Sequence, residues 1–531
     1  MRTEQLGVVY TQSWVVNFIL DIVGFVPGSG ITKKIIIEPS CGKGVFLTSI
    51  AERLADEVLA LSCEWDQISH AVRAYDIDSK SLKDAKNNVM QTLVQKGCPT
   101  KIAEKLTNQW IVQGDFILEV VPASDFIVGN PPYVRATEIN LEKRAEYVKR
   151  LHSVTNGCDL YVSFYDRAID TLKKGGVLCF ICADRWLQNQ YGRRLRKRIN
   201  DECNLTNLIR MHDVDVFDKK VSTYPAITTI RKDASTKQLR FVNCFPNFNK
   251  EDASAVVRWL NNEPRKFIQK NFEAAIINKP TGADIYPLGS HELVDFISKA
   301  QMQLPNLEEA GVNVGIGIAT GCDEIFLTEI EDIVERDRML PIFYFRDYRK
   351  GLLSRRRWLI NPWQNDGQLV DLERYPKLRS YFESHKERLK QRHVAQKNKV
   401  AWYRTIDKIF PELMKRNLLL LPDIASTPQP LLSFGLYPHH NCYWLASDEW
   451  DLSTLGGLIM ADTTKRFIEA LGVKMRGGTL RFQAQYLRLV HLPKYDNISE
   501  EIKIGLSKAF QAKDVTSANY YAEAAYKEAL N

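Results

Sequence analysis

Ser124-Asp125-Phe126-Ile127-Val128-Gly129-Asn130-Pro131-Pro132-Tyr133 is the stretch from which the rest of the chain can be read. Phe126-Ile127-Val128 is apolar and reads as a short buried strand that Gly129 ends. The Asn-Pro-Pro that follows cannot continue a ladder, because neither proline has an N–H to donate. Asn130 is itself held extended by the proline after it. The strand therefore stops at its carboxyl end with an amide, two outward carbonyls and an aromatic ring in one stiff turn. Oxygens beside a flat ring suit a planar amine, which gives its hydrogens to the oxygens and its face to the ring. At ordinary residue frequencies this tetrapeptide arises by chance on the order of once per thousand chains of this length.

The turn and the strand before it resemble the catalytic motif of S-adenosylmethionine-dependent adenine-N6 methyltransferases. A related Asn-Pro-Pro-Tyr occurs in protein-glutamine and some RNA base methyltransferases, so the motif specifies a planar nitrogen and leaves the substrate to the rest of the chain. Working back toward the N-terminus, Lys34 to Leu47 (Lys-Ile-Ile-Ile-Glu-Pro-Ser-Cys-Gly-Lys-Gly-Val-Phe-Leu) is a buried strand, a glycine-containing loop and a helix from about Val45. Such a unit brings backbone N–H groups to a ligand at the carboxyl edge of a parallel sheet. It lacks Gly-Lys-Ser/Thr and GxGxxG, so it is no phosphate cradle. It resembles the cofactor motif of DNA methyltransferases, which implies that Glu38, Ser40 and Gly42 lie on the cofactor, Glu38 near its amino-acid end. Val72 to Asp78 is a second strand ending in acid. The resemblance makes Asp76 the ribose ligand, while Asp78 caps the next helix. Gly114-Asp115-Phe116 ends a third strand, and the family places such an acid on the adenine amine with the aromatic beside its ring. Tyr10-Thr11-Gln12 leads into a helix over roughly Trp14–Val23 and resembles the family's Tyr-Thr-Pro cofactor contact, with glutamine in place of proline. Asn130 adjoins both cofactor and base.

Beyond Tyr133, residues 134 to 158 are polar and read either as a solvated helix or as a loop that orders over DNA. Asp159 to Leu172 is an amphipathic helix. Strands follow at Val177–Ala183, Leu205–Met211 and Ala226–Arg231. Val214 to Ser222 resembles the stretch of TaqI-like methyltransferases whose aromatic stacks on the extruded adenine, which makes Phe217 the partner of Tyr133. Alternating strands and helices give a doubly wound, mostly parallel sheet. The expectation is a Rossmann-like class I methyltransferase domain over residues 1–245, with cofactor motif before catalytic motif, and an α+β DNA target-recognition domain over 246–531. In that second half Arg346-Asp347-Tyr348-Arg349-Lys350, Arg355-Arg356-Arg357-Trp358 and the run from Lys386 to Arg404 mix cations with aromatics. Such runs favour phosphate contact, which makes Arg355, Arg356, Arg357, Lys386 and Arg404 candidate DNA contacts. Gly315-Ile316-Gly317-Ile318-Ala319-Thr320-Gly321 and Gln485 to Pro493 echo TaqI-like recognition domains, or are packing features.

Composition agrees. Of 531 residues 45% are apolar and 26% charged, which is ordinary for a globular protein. Lys and Arg number 72 against 64 Asp and Glu, and the +8 balance permits a nucleic-acid partner. No run approaches the ~20 apolar residues of a membrane span, and Met1 to Gln5 opens no signal peptide. Ten scattered cysteines imply reduced thiols, with Cys179 and Cys182 on a buried strand rather than on a metal. These readings combine into a type II adenine-N6 DNA methyltransferase of a restriction–modification system. It is expected to be monomeric, cytoplasmic and nucleoid-associated, to use S-adenosylmethionine without a metal, to act on double-stranded DNA and to pair with a restriction endonuclease. The alternatives are a protein-glutamine methyltransferase, against which some 285 further residues weigh, an RNA methyltransferase, which basic segments would serve equally well, and a fused nuclease, for which motifs beginning near Tyr10 leave no N-terminal room.

Overall fold

A computed structural model describes residues 9–219, 224–262, 264–349, 357–472 and 479–530. The chain divides into two compact units, Met1–Ser298 and Lys299–Asn531. The first is built on ten strands: β1 Ile36–Glu38, β2 Val72–Asp76, β3 Ile111–Gln113, β4 Ser124–Gly129, β5 Leu172–Ala183, β6 Asn204–Arg210, β7 Pro225–Arg231, β8 Gln238–Cys244, β9 Lys266–Gln269 and β10 Phe272–Asn278. They lie in the order β3-β2-β1-β4-β5-β7-β6-β8-β10-β9. Pairing is parallel from β3 through β5, and β7 enters antiparallel between β5 and β6. The chain runs outward through β1, β2 and β3, then returns to the other side of β1 with β4. That reversal opens a crevice beyond the carboxyl ends of β1 and β4, the place where open α/β sheets bind ligands.

The apolar runs form these strands because helices cover both faces. Ile36 and Val128 pack into one core with the helix Ser13–Ile22 and the helix Val45–Leu61, and Ile37 and Ile127 into the other with the helix Leu160–Thr171. Cys179 and Cys182 fall three apart on β5 and enter opposite cores, so they cannot share a metal; all ten cysteines are free. A helix over Thr100–Trp110 precedes β3, and its Ala103, Leu106, Thr107 and Trp110 form one buried stripe.

The expected boundary at 245 falls inside this unit. β10 pairs antiparallel with β8 over seven residues, Phe272↔Cys244 to Asn278↔Gln238, and β9 closes the edge. Those bonds carry the sheet past 245, and the compact unit extends to Ser298.

The second unit is α+β. One four-stranded antiparallel sheet joins Val312–Ile316, Cys442–Ser447, Leu418–Pro422 and Leu431–Ser433. Another joins Leu327–Thr328, Trp358–Ile360, Met339–Phe343 and Tyr437–Pro438. The helices Leu452–Met460, Asp462–Leu471, Glu500–Ala512 and Val515–Leu530 pack together at the end of the chain. Among the described residues no helix is long and apolar enough to cross a membrane.

Candidate active site

Four loops meet in the crevice, and each leaves the carboxyl end of a parallel strand. After β1, Gly42 (φ 51°) and Gly44 (φ 85°) turn the chain through left-handed backbone that suits glycine. A Cβ on Gly44 would also stand 3.1 Å from Ala85 Cβ. The turn lets Gly42 N donate to Asp76 Oδ2 at 2.8 Å. Asp76 Oδ1 takes Asp78 N at 2.9 Å, so both oxygens of the β2 acid are oriented by backbone. Asp78 does cap the following helix: its Oδ2 accepts from Ser81 N and Oγ, and these bonds hold its carboxyl below the usual range.

Asn130 is fixed from behind. Its Nδ2 donates to the Val9 carbonyl at 3.0 Å and to Thr11 Oγ1 at 3.2 Å. A carbonyl can only accept, so the amide orientation follows from its partner. Ser40 Oγ donates to the Asn130 carbonyl at 3.1 Å, joining the β1 and β4 loops. Asn130 Oδ1 is then shut from solvent, with no donor among the described residues. Glu38 Oε2 is in the same condition. Burial, then the charge of Asp76, hold the Glu38 carboxyl well above the usual carboxylate range. Buried acceptors without donors cost free energy and mark positions where a donor is needed.

Tyr10, Thr11, Glu38, Ser40, Gly42, Asp76, Asp115, Phe116, Asn130, Pro131 and Pro132 all line one cavity. Tyr10 to Gln12 forms a strap, and Gln12 at its end caps the helix Ser13–Ile22 through its backbone carbonyl and not its side chain. Gln12 N donates to Val216 O, Asp218 N donates to Tyr10 O, and Thr11 bridges antiparallel to Phe217. The strap thus binds Asn130 on one side and the Phe217 segment on the other. Tyr133 and Phe217 come together with ring centroids 6.1 Å apart and planes at 71°, edge to face rather than parallel.

Other residues line the cavity outside the motifs, among them Val134, Tyr147, Leu160 and Phe164. Phe164 stacks on Phe116 at 5.9 Å and 19°. Tyr147 sits on a helix over Leu141–Arg150 and is that helix's one buried residue. Its hydroxyl donates to Asp115 Oδ2 at 2.6 Å, and Lys143 Nζ stands 3.6 Å from the same oxygen. Within the polar stretch 134–158 the chain forms a short turn at Ala136–Glu138 and the largely exposed helix Leu141–Arg150, whose Tyr147 reaches the cavity. The signal in sequence was a lone aromatic among the charges of Glu138 to Arg150.

The candidate DNA contacts lie elsewhere. Arg355 and Arg356 fall outside the described residues. Arg357 pairs with Asp347 at 2.7 Å and Glu329 at 3.2 Å. Lys386 bonds both Glu383 oxygens and lies 5.2 Å from the Trp402 ring centroid. Arg404 donates to the carbonyls of Thr405 and Ile406 and lies over Trp363. The glycines of the 315–321 segment serve packing, since a Cβ on Gly315 would meet Trp444 at 2.1 Å and one on Gly317 the His439 carbonyl at 2.1 Å. Asp323, His439 and His440 bring ligand-type atoms within 4.8 Å of one another, an arrangement the sequence did not suggest. In it His439 Nε2 and Asp323 Oδ2 form a 2.9 Å hydrogen bond, which lowers the Asp323 pKa to about 2.

A family model for the Eco57I restriction-modification methylase matches residues 43–217, from the loop after β1 to Phe217. The type II methyltransferase M.XhoI of Xanthomonas vasicola is 36% identical over 97% of this chain and 96% of its own length. M.PaeR7I of Pseudomonas aeruginosa is 36% identical over 97% of this chain and 91% of its own. Among solved structures, the type IIL restriction-modification enzyme MmeI in complex with DNA shares the fold, with a TM-score of 0.54 over 97% of this chain and 72% of that one at 13% identity. The chain belongs to the type II DNA methyltransferases of restriction–modification systems, class I enzymes whose methyl donor is S-adenosylmethionine.

Proposed function

We propose that this methyltransferase modifies the exocyclic N6 amine of an adenine swung out of duplex DNA, so that its site is protected from a partner endonuclease. The observation that carries the reading is Asn130 Oδ1, a buried acceptor with no donor among the described residues, its amide held by Val9 and Thr11 at the end of β4.

The residues present fit the cofactor. Unpaired Glu38 Oε2 suits the ammonium of its methionine part, Asp76 suits the ribose hydroxyls, and Asp115 with Phe116 and Phe164 suits the adenine. Bound there, S-adenosylmethionine supplies an electrophilic methyl on a sulfonium. The chain's own part is positioning and electrostatics. Asn130 Oδ1 and the Pro131 carbonyl accept the two hydrogens of the target amine. Those bonds weaken conjugation of the nitrogen lone pair with the ring and aim it at the methyl. Tyr133 gives the base a face to stack on. Phe217 takes the other face after turning from its 71° edge-on position toward parallel. Extrusion is required because the amine is out of reach inside the duplex stack.

Asn130→Ala is the test. Single-turnover methylation should slow by at least ~100-fold, as when a transition-state hydrogen bond is lost, while cofactor affinity by calorimetry stays near wild type. Turnover within a few-fold of wild type would remove Oδ1 from the mechanism.

A further inference from the structure

Beside the catalytic turn, two loops on the same edge of the sheet are tied into one body by a single carboxylate. Asp159 Oδ1 accepts from Ala136 N at 3.2 Å, three residues past Tyr133. Its Oδ2 accepts from Tyr191 Oη at 3.2 Å, in the loop that follows β5. Tyr191 also meets Tyr161 Oη at 2.7 Å, and its carbonyl accepts from Cys158 Sγ. The β5 loop is stiff: Arg196 Nη1 donates to the carbonyls of Trp186 and Asn189, and Gly192 packs so close that a Cβ would stand 1.9 Å from the Trp186 carbonyl oxygen.

From this body four arginines reach solvent: Arg135, Arg185, Arg193 and Arg194. None of the four has a carboxylate within ion-pair distance among the described residues, and Glu138, the nearest acid in sequence to Arg135, takes that residue's backbone N–H instead. Elsewhere on this unit, cations are commonly paired, as Lys96 is with Asp56, Lys105 with Asp66 and Lys173 with Asp125. Guanidinium groups suit phosphate because their planar forks bond two oxygens at once.

We infer that Arg135, Arg185, Arg193 and Arg194 grip the phosphodiester backbone of duplex DNA flanking the extruded base, so that the catalytic unit contributes its own share of DNA affinity. The inference rests on the proposed action at a base in the duplex. It assigns to the rim of the catalytic turn a phosphate contact for which the sequence offered named residues only in the second half of the chain. A grip here has a mechanical use: it holds the backbone still on the side from which the base leaves, and phosphate contacts set register without reading sequence.

The experiment uses the full-length enzyme and compares wild type, a variant with all four arginines changed to alanine, and one with all four changed to lysine. Affinity for a duplex is measured from low to moderate salt, alongside cofactor affinity and methylation at saturating DNA. Each lost phosphate contact lowers the slope of log affinity against log salt by about 0.9. The alanine variant should lose about two to four units of slope with cofactor affinity unchanged, and the lysine variant should keep most of the slope. A slope within about half a unit of wild type in the alanine variant overturns the inference. That outcome is distinct from failure of the proposed function, which shows as absence of methyl transfer to duplex DNA by the wild-type enzyme.

Discussion

Polar side chains are treated differently in the two units. In the catalytic unit, acids and amides at the strand ends converge on one cavity, and two acceptors there, Glu38 Oε2 and Asn130 Oδ1, have no donor among the described residues. In the second unit the three candidate DNA contacts that the structure describes are already engaged: Arg357 by Asp347 and Glu329, Lys386 by Glu383, Arg404 by backbone carbonyls and Trp363. Unmet hydrogen-bonding capacity at a concave site calls for a ligand, whereas a satisfied cation on a surface works chiefly within its own fold. An arginine-rich stretch therefore says less about DNA contact than the partners of each guanidinium do.

The largest effect that sharpens the contrast is expected at Phe217. If it stacks on the extruded base, Phe217→Leu keeps the apolar packing but loses the ring, and methylation should fall by up to ~100-fold, the ~1–3 kcal/mol of a base–aromatic stack. DNA affinity and its salt slope should stay unchanged. A comparable loss of affinity would show that Phe217 belongs to general binding.

Next come the carboxylates of the cofactor cavity. Asp76→Ala and Asp115→Ala should each weaken S-adenosylmethionine binding by ~1–3 kcal/mol, since each leaves part-buried donors, and the cofactor groups they would meet, without an acceptor. Tyr147→Phe keeps the ring and removes only the 2.6 Å bond to Asp115, so it should cost about 0.5–1.5 kcal/mol. Calorimetry reads all three; unchanged affinity throughout would relocate the pocket.

The smallest effect is a pH dependence at Glu38. Its carboxyl is raised by burial and by Asp76, so the ionised form is disfavoured in the free enzyme and folding gains nothing from its charge as pH rises. An ammonium beside it favours ionisation. Cofactor affinity should therefore climb as pH rises from the acid side toward the folded-state pKa, with a proton released on binding. Calorimetry in buffers of different ionisation heat measures that proton, and Glu38→Gln should abolish both effects.

These expectations show which parts of the molecule were legible from sequence. The strand ends were, because glycine, proline and acid at the close of an apolar run leave the chain few options. The ends of β1 to β4 were found that way, while the family resemblance singled out Glu38, Asp76 and Asp115 as cofactor residues; the structure gathers them with Asn130 in one cavity. Tyr147 was not, because its burial depends on a partner 32 residues earlier in the chain. The helix Thr100–Trp110 was missed although its apolar stripe is periodic, and the sheet was ended too early because β8 and β10 find each other only in three dimensions. Charge runs were the least informative of all. Whether Arg357 faces phosphate or Asp347 is a tertiary fact that no local pattern contains.

The central claim is that the unsatisfied acceptor at Asn130 receives the amine of adenine in duplex DNA. It is tested most directly by transferring a tritiated methyl group from S-adenosylmethionine to duplex DNA and to RNA, then digesting both to nucleosides. Label is expected in N6-methyladenine from the duplex, with essentially none from RNA. Label in a cytosine product, or preferential labelling of RNA, would contradict it.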